Sequence, residues 1–318
     1  MLTGTSMRAL VVAALLAFSL TGVGLARAAA PTVTQQAAVG SILALTNTDL
    51  MKSTLPTLTK FNTRYYRSST GAQAGEWLFG KVKDVAAANN ASNLSVTVTQ
   101  FKHDWGQHSV IARIEGMNNN KETIILGAHM DSINAESPMS GRAPGADDAG
   151  SSVVALLEVM RVLLKAGYKP LRPIEFHWYS AEEAGLLGSQ AIAQQYKKAG
   201  RVVVGMLYFP AVMVPYKKAP DIGLVTDFTD ATLNTFMRQL ATTYTALPMH
   251  DFACGYGCGD HASWNRAGYP AAMAYESSKV NGNPNIHTPA DDLNTIDYNH
   301  ALHFVKLGVA FAVELGHP

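Results

Sequence analysis

The sequence predicts an α/β fold: a single domain built on a mixed, mostly parallel twisted sheet, with helices on both faces. Two observations carry this. Five segments, SVIARIEG (109–116), ETIILGAHM (122–130), RPIEFHWYS (172–180), VVVGMLYF (202–209) and IGLVTD (222–227), are rich in β-branched and apolar residues and read as strands. Several lack the apolar–polar alternation of a half-exposed strand, as expected where both faces are covered. Helical patterns lie between and after them, and strands that alternate with helices imply a largely parallel sheet.

Taken in order, the elements begin with a leader. Met7 and Arg8 provide a positive start, ALVVAALLAFSLTGVGLA (9–26) an apolar run, and Ala26-Arg27-Ala28 a small-x-small cleavage site. This is the grammar of a secretory signal peptide over residues 1–28, leaving a catalytic-size domain at 29–318. A membrane anchor is the alternative, because the run is about long enough to span a bilayer. Gly22, Gly24 and the adjoining cleavage site favour removal. The stretch AAANNASN (86–93) separates a helix-like segment from a strand-like one. AGSSVVALLEVMRVLLKAGY (149–168) carries Val153, Leu156, Leu157, Met160 and Leu164 at helical spacing and ends at Gly167. ATLNTFMRQLATTY (231–244) and HALHFVKLGVAFAVELG (300–316) are further helices.

With 318 residues, 47% of them hydrophobic and 15% charged, the chain can bury a large core. The net charge of +1 generates no long-range field, and no Lys/Arg cluster makes a local one, so nucleic acid and anionic lipid are not expected partners. No other segment is apolar enough to span a membrane, and no internal repeat is visible. Export makes a disulfide the expected state of the two cysteines, Cys254 and Cys258 in CGYGC. So short a loop gains little entropic stabilisation, and the bridge instead fixes local shape around Tyr256.

The chemistry-bearing residues fall where strands end. GAHMDS (127–132) follows one strand, APGADDAGSS (143–152) opens the long helix, and SAEEAG (180–185) follows the next strand. Ligands of open α/β sheets bind at such carboxyl ends. Each piece has an ordinary explanation by itself: a hydrogen-bonded His, an N-capping Asp pair, a solvated Glu pair. Their coincidence at successive strand ends does not. His129, Asp148 and Glu183, joined by a later His, form the N/O ligand set that suits a catalytic zinc. Asp131 is placed to accept the other ring N–H of His129. Adjacent glutamates point in different directions, so Glu183 can ligate while Glu182 faces a water and acts as general base.

Five motifs, GAHMDS, APGADDAGS, SAEEAGLLGS, CGYGCGDHASWNRAGYPAAMAYES (254–277) and NPNIHTPADDL (283–293), resemble the secreted bacterial leucyl aminopeptidases. This co-catalytic two-zinc family also includes the single-zinc glutaminyl cyclases. The resemblance extends to FNTRYYRSSTGAQAGEWL (61–78) and so covers essentially the whole mature chain. It implies a sheet of about eight strands and a role for each matching residue. Asp148 corresponds to the carboxylate bridging two zincs, and Glu182 to the base that takes a proton from water activated at zinc. Glu183 and His287 correspond to ligands of the first zinc, His129 to a ligand of the second. Tyr256 corresponds to the hydroxyl that stabilises the oxyanion. Met273 and Tyr275 are expected as apolar wall of the substrate pocket. The implied partners are peptides with a free N-terminus, and a monomer is expected.

The pattern breaks in two places. The second zinc of the family needs another aspartate at the end of the strand in GMLYFPAVMVPYKK (205–218), where this chain has Pro210. The expectation is therefore one firmly held zinc and a weak second site. The loop ESSKVNGNP (276–284) carries Lys279 and Gly282 where aromatic rings are expected, so a leucine-like preference is inferred less directly than the catalysis. Two other readings stay open: a single-zinc glutaminyl cyclase, and a silent peptide-binding relative. His177 and the other histidines outside the motifs are read as structural, with Asp260 and His261 as a hydrogen-bonded pair.

Overall fold

The computed structural model describes residues 29–90, 94–117, 121–278 and 283–317. The expected signal peptide, and Lys279 and Gly282, lie outside the described residues. Eight strands form one sheet: β1 Val96–Phe101, β2 Ser109–Ile114, β3 Glu122–His129, β4 Ile174–Tyr179, β5 Val202–Tyr208, β6 Ile222–Val225, β7 Met249–Phe252 and β8 Ala271–Tyr275. Their order is β1-β2-β4-β3-β5-β8-β6-β7. The four strands β4, β3, β5 and β8 run parallel and side by side, whereas β1, β2 and β6 pair antiparallel with neighbours. β6 and β7 are parallel to each other.

The five strands read from sequence are present at the places expected. Of the other three, β1 is the strand-like segment after residue 93, and β7 and β8 are the two that composition does not reveal. β1 (VTVTQF) and β7 (MHDF) are edge strands with exposed polar positions, and β8 (AAMAY) is alanine-rich although almost wholly buried. β7 and β8 become strands by pairing, whereas β1 alternates Val and Thr and carries the strand pattern itself.

Eight helices cover the sheet: α1 Gln36–Leu43, α2 Asp49–Leu58, α3 Ser69–Asn89, α4 Ser152–Lys165, α5 Leu187–Lys198, α6 Ala231–Tyr244, α7 His261–Ala267 and α8 Tyr298–Gly316. On one face α4 packs against α2, α3 and α8, and thirteen of its fourteen residues are buried, so it forms the middle of the larger core. The opposite face carries a smaller core under α5 and α7, built on Ile125, Tyr179, Tyr208 and Trp264. No helix among the described residues is long and apolar enough to cross a membrane.

One expectation is corrected. Helix α4 begins at Ser152, not 149, because the backbone kinks out of helical geometry at Asp148 (φ −99°, ψ 97°) and Ala149 (φ −116°, ψ 33°). The peptide between Asp148 and Ala149 is cis. The non-helical backbone at Asp148 takes it off the line of α4, and its Oδ1 meets His129 at the end of β3.

Candidate metal centre

The carboxyl ends of β3 and β4 bring the candidate residues together. His129 ends β3, and its Nε2 lies 3.0 Å from Asp148 Oδ1. After β4 the chain reverses through Ala181 in the left-handed region (φ 59°) and presents Glu182 and Glu183. His287, also left-handed (φ 62°), returns from the loop before α8. Its Nε2 lies 3.1 Å from Asp148 Oδ2 and 3.0 Å from Glu183 Oε2. Two imidazoles thus flank a pair of carboxylates, and one ligand atom each from His129, Asp148 and Glu183 lies within 4.8 Å of the others.

The electrostatics are those of a cation site. Burial works against the charge of Asp148, but hydrogen bonds from His129 and His287 outweigh it and hold the carboxyl below its usual range. Burial, followed by the charge of Asp148, lifts Glu183 to about 7. The bonds to Asp148 and Glu183 raise His287 to about 11. His129 is held well above its ordinary value by Glu182, Asp131 and Asp148, against the effect of burial. Protons on the imidazoles neutralise the carboxylates here, and a divalent ion would do the same more fully. Glu183 Oε1 supports this: it is buried with no hydrogen-bond partner, a costly state for a carboxylate oxygen unless a cation takes it. The donor set of imidazole nitrogens and carboxylates fits zinc.

Asp131 faces the other ring nitrogen of His129 as expected, but at longer range than a normal hydrogen bond. Its Oδ1 is 3.4 Å from His129 Nδ1, and that nitrogen has no partner of normal geometry. The carboxylate instead accepts the backbone N–H groups of Glu182 (3.0 Å) and Glu183 (3.1 Å), fixing the turn that aims both glutamates. Sequence reading also missed the support beneath Asp148. Asp291 accepts the N–H groups of Asp147 and Asp148 at 3.0 Å each, while Asp147 accepts Met213 N–H and Asn283 Nδ2 at 3.1 Å each. Those residues stood in the quoted motifs APGADDAGS and NPNIHTPADDL, but nothing in spacing says which acid ligates and which braces.

Next to these charges opens a cleft of about 670 Å³. Its polar wall is His129, Asp148, Glu182, Glu183 and His287, and its apolar wall is Leu186, Phe252, Met273, Tyr275 and Ile286. Tyr256 stands at the rim, 66% exposed. Its loop is closed by the Cys254–Cys258 disulfide, with Cα atoms 6.2 Å apart. The loop is also pinned by Asp227, which accepts the N–H groups of Cys254 (3.2 Å) and Gly255 (2.7 Å). Burial pushes Glu182 well up, a nearby His129 pulls it down, and Asp260 adds to the rise. Pro210 lines the cleft two residues beyond β5 and offers no ligand atom.

The structural histidines divide. His177 bonds Glu175 at 2.9 Å, away from the cleft, as expected. The pairing of Asp260 with His261 is corrected: neither the oxygens of one nor the nitrogens of the other have a partner of normal geometry. Asp260 lies beside the hydroxyls of Ser189 and Tyr208, and the His261 ring stacks on Tyr208.

Comparison with known proteins places this geometry. The family model described as Peptidase family M28 matches residues 109–312. Leucine aminopeptidase 1 of Emericella nidulans is 44% identical over 288 residues, 87% of this chain and 73% of that protein. The Aspergillus niger protein of the same name is 42% identical over 294 residues, 90% of this chain and 75% of its own. Among solved structures, the Legionella pneumophila LapA aminopeptidase superposes with a TM-score of 0.84 at 32% identity, covering 92% of this chain and 78% of that one. Porphyromonas gingivalis glutaminyl cyclase shares the fold alone, with a TM-score of 0.65 at 20% identity over 85% of this chain and 99% of the other.

Proposed function

The chain belongs to peptidase family M28 and is a metallo-aminopeptidase; from that premise we propose that it is exported, binds zinc, and removes apolar, leucine-like N-terminal residues from peptides. The observation that carries the substrate reading is the join in one cleft between the carboxylate–imidazole cluster and the wall of Leu186, Phe252, Met273, Tyr275 and Ile286. An apolar side chain buried there is favoured by roughly 1.5–3 kcal/mol. The leucine aminopeptidases that it resembles at 42–44% identity support the same preference. Export rests on the leader grammar, with the disulfide in accord.

Asp148, Glu183 and His287 would hold the principal zinc. Bound there, the ion supplies Lewis acidity toward water and the scissile carbonyl. Glu182 takes the proton from the attacking water as its oxygen bonds to the carbonyl carbon. The same carboxyl then returns the proton to the departing amine nitrogen as the C–N bond breaks, so the base is regenerated. The raised proton affinity of Glu182, caused first by burial, suits a group that must hold the proton between those steps. Tyr256 at the rim donates to the carbonyl oxygen as negative charge builds on it. A second zinc would have only His129 and a share of Asp148, because Pro210 cannot ligate, so we infer one firmly held ion.

Metal content per purified chain, read together with hydrolysis of leucinamide and cyclisation of an N-terminal glutaminyl peptide, tests this. About one zinc with leucinamide cleavage is expected. Two tightly held zincs would overturn the single-ion reading, and cyclisation without cleavage would overturn the peptidase reading in favour of the cyclase. Zinc without either activity would favour a silent peptide binder.

A further inference from the structure

The motif FNTRYYRSST places Arg64 between α2 and α3, and no catalytic role described above uses it. Its side chain is fully buried. Nε donates to Met130 O at 2.8 Å, the residue directly after His129. Nη1 donates to Pro144 O, and Nη2 donates to Gly145 O at 2.9 Å, three residues before Asp148. One guanidinium therefore bonds the backbone of both loops that carry the ligands. A second stitch joins the same loops: Arg64 N–H donates to Ser132 Oγ at 3.0 Å, and that hydroxyl donates to Ala143 O at 2.8 Å.

Gly145 is shaped to the side chain. It is left-handed (φ 51°), and a Cβ there would come within 2.8 Å of Arg64 Nη2 and 2.6 Å of Ser132 Cβ. Among the described residues, no carboxylate takes a hydrogen bond from Arg64. Its charge is instead left to act on Asp291, Asp131, Asp148 and Glu183, whose fields oppose the effect of its burial. A buried cation that contacts only carbonyls, amid several carboxylates, offsets their mutual repulsion without occupying a ligand atom. Lysine carries the charge but not the planar fork that reaches several acceptors at once.

We propose that Arg64 is a positioning residue for the metal centre, fixing the His129 and Asp148 loops at ligand spacing and balancing the charge of the carboxylates that bind the ion. This rests on the zinc reading above. Outer contacts that orient ligands change metal affinity by about 10–100-fold. Zinc Kd is measured by chelator competition on the full chain, for the wild type, Arg64→Lys and Arg64→Gln, with circular dichroism reporting whether each folds. The expected order of affinity is wild type, then Arg64→Lys about tenfold weaker, then Arg64→Gln weaker still. A folded Arg64→Gln binding zinc within twofold of wild type overturns the proposal. If that variant does not fold, Arg64→Lys decides: about tenfold weaker binding supports the role, and a Kd within twofold rejects it. Wild-type protein that binds zinc but does not cleave leucinamide would remove the activity reading and leave the comparison of Kd values standing. Protein that takes up no zinc would remove both.

Discussion

The two ends of strand β4 carry acids of opposite character. At its start, buried Glu175 meets Arg113 at 2.6 Å and Arg201 at 3.1 Å through one oxygen, and His177 at 2.9 Å and Tyr196 at 2.7 Å through the other. Burial works against its charge, but these partners prevail and hold it at about 2. Just past the strand's end, Glu183 keeps one oxygen without a partner and is raised to about 7. The same residue type is fully satisfied at the start of the strand and left wanting in the turn beyond its end. An acid whose hydrogen bonds are complete stabilises the fold, while one left incomplete in the interior is waiting for something the chain itself does not supply. The contrast distinguishes a brace from a site without appeal to any relative.

The sharpest way to break the contrast is to remove one acid from each end. Glu182→Gln should lower kcat for leucinamide by roughly 10²–10⁴-fold, with zinc content and thermal midpoint unchanged; more than a tenth of the turnover surviving would dismiss it as the base. Glu175→Ala should leave zinc affinity of the folded protein alone but cost about 3–5 kcal/mol in urea unfolding, because Arg113 and His177 lose a buried partner. A stability loss under 1 kcal/mol there would mean that the ion cluster is not a brace.

Smaller and subtler is the pH dependence. In zinc-free protein, Glu183 near 7 and His287 near 11 bind more protons folded than unfolded, starting from ordinary values of 4.5 and 6.5. Stability contributed by these groups therefore falls as pH rises from about 4.5 to 11. Glu175 has the opposite sign: its contribution is complete above its ordinary 4.5 and is lost as pH falls toward 2. Thermal midpoints without zinc should peak in mildly acidic solution. Added zinc should raise them most on the alkaline side, since its ligands bind deprotonated. A zinc-free midpoint that climbs steadily from pH 5 to 8 would contradict this assignment of charges.

How much of this was legible in the sequence varies with the range of the interaction. The apolar runs of β2 to β6 and the spacing in α4 mark those elements because the buried face of an element is a local periodicity. β7 and β8 carry weak patterns and exist because neighbours supply their hydrogen bonds. Motifs beside strand ends mark His129, Asp148, Glu182 and Glu183, the family resemblance adds His287 and Tyr256 with Met273 and Tyr275 as pocket wall, and all eight line one cleft. The roles of Asp131, Asp147, Asp291 and Arg64 were not legible. Each acts on backbone groups far away in sequence, and one acid in a pair looks like another until the loops meet.

By itself, then, the sequence determined the α/β alternation and the placement of His129, Glu182 and Glu183 after strands and of Asp148 before a helix, because these are properties of residue identity and short-range order. Only the tertiary structure decided which acids accept backbone N–H groups, Asp131 at Glu182 and Glu183 and Asp291 at Asp147 and Asp148, and which stand against the imidazoles. That depends on where the kink before α4 puts Asp148, on how the reversal at Ala181 presents Glu182 and Glu183, and on a buried guanidinium joining two loops that are remote along the chain.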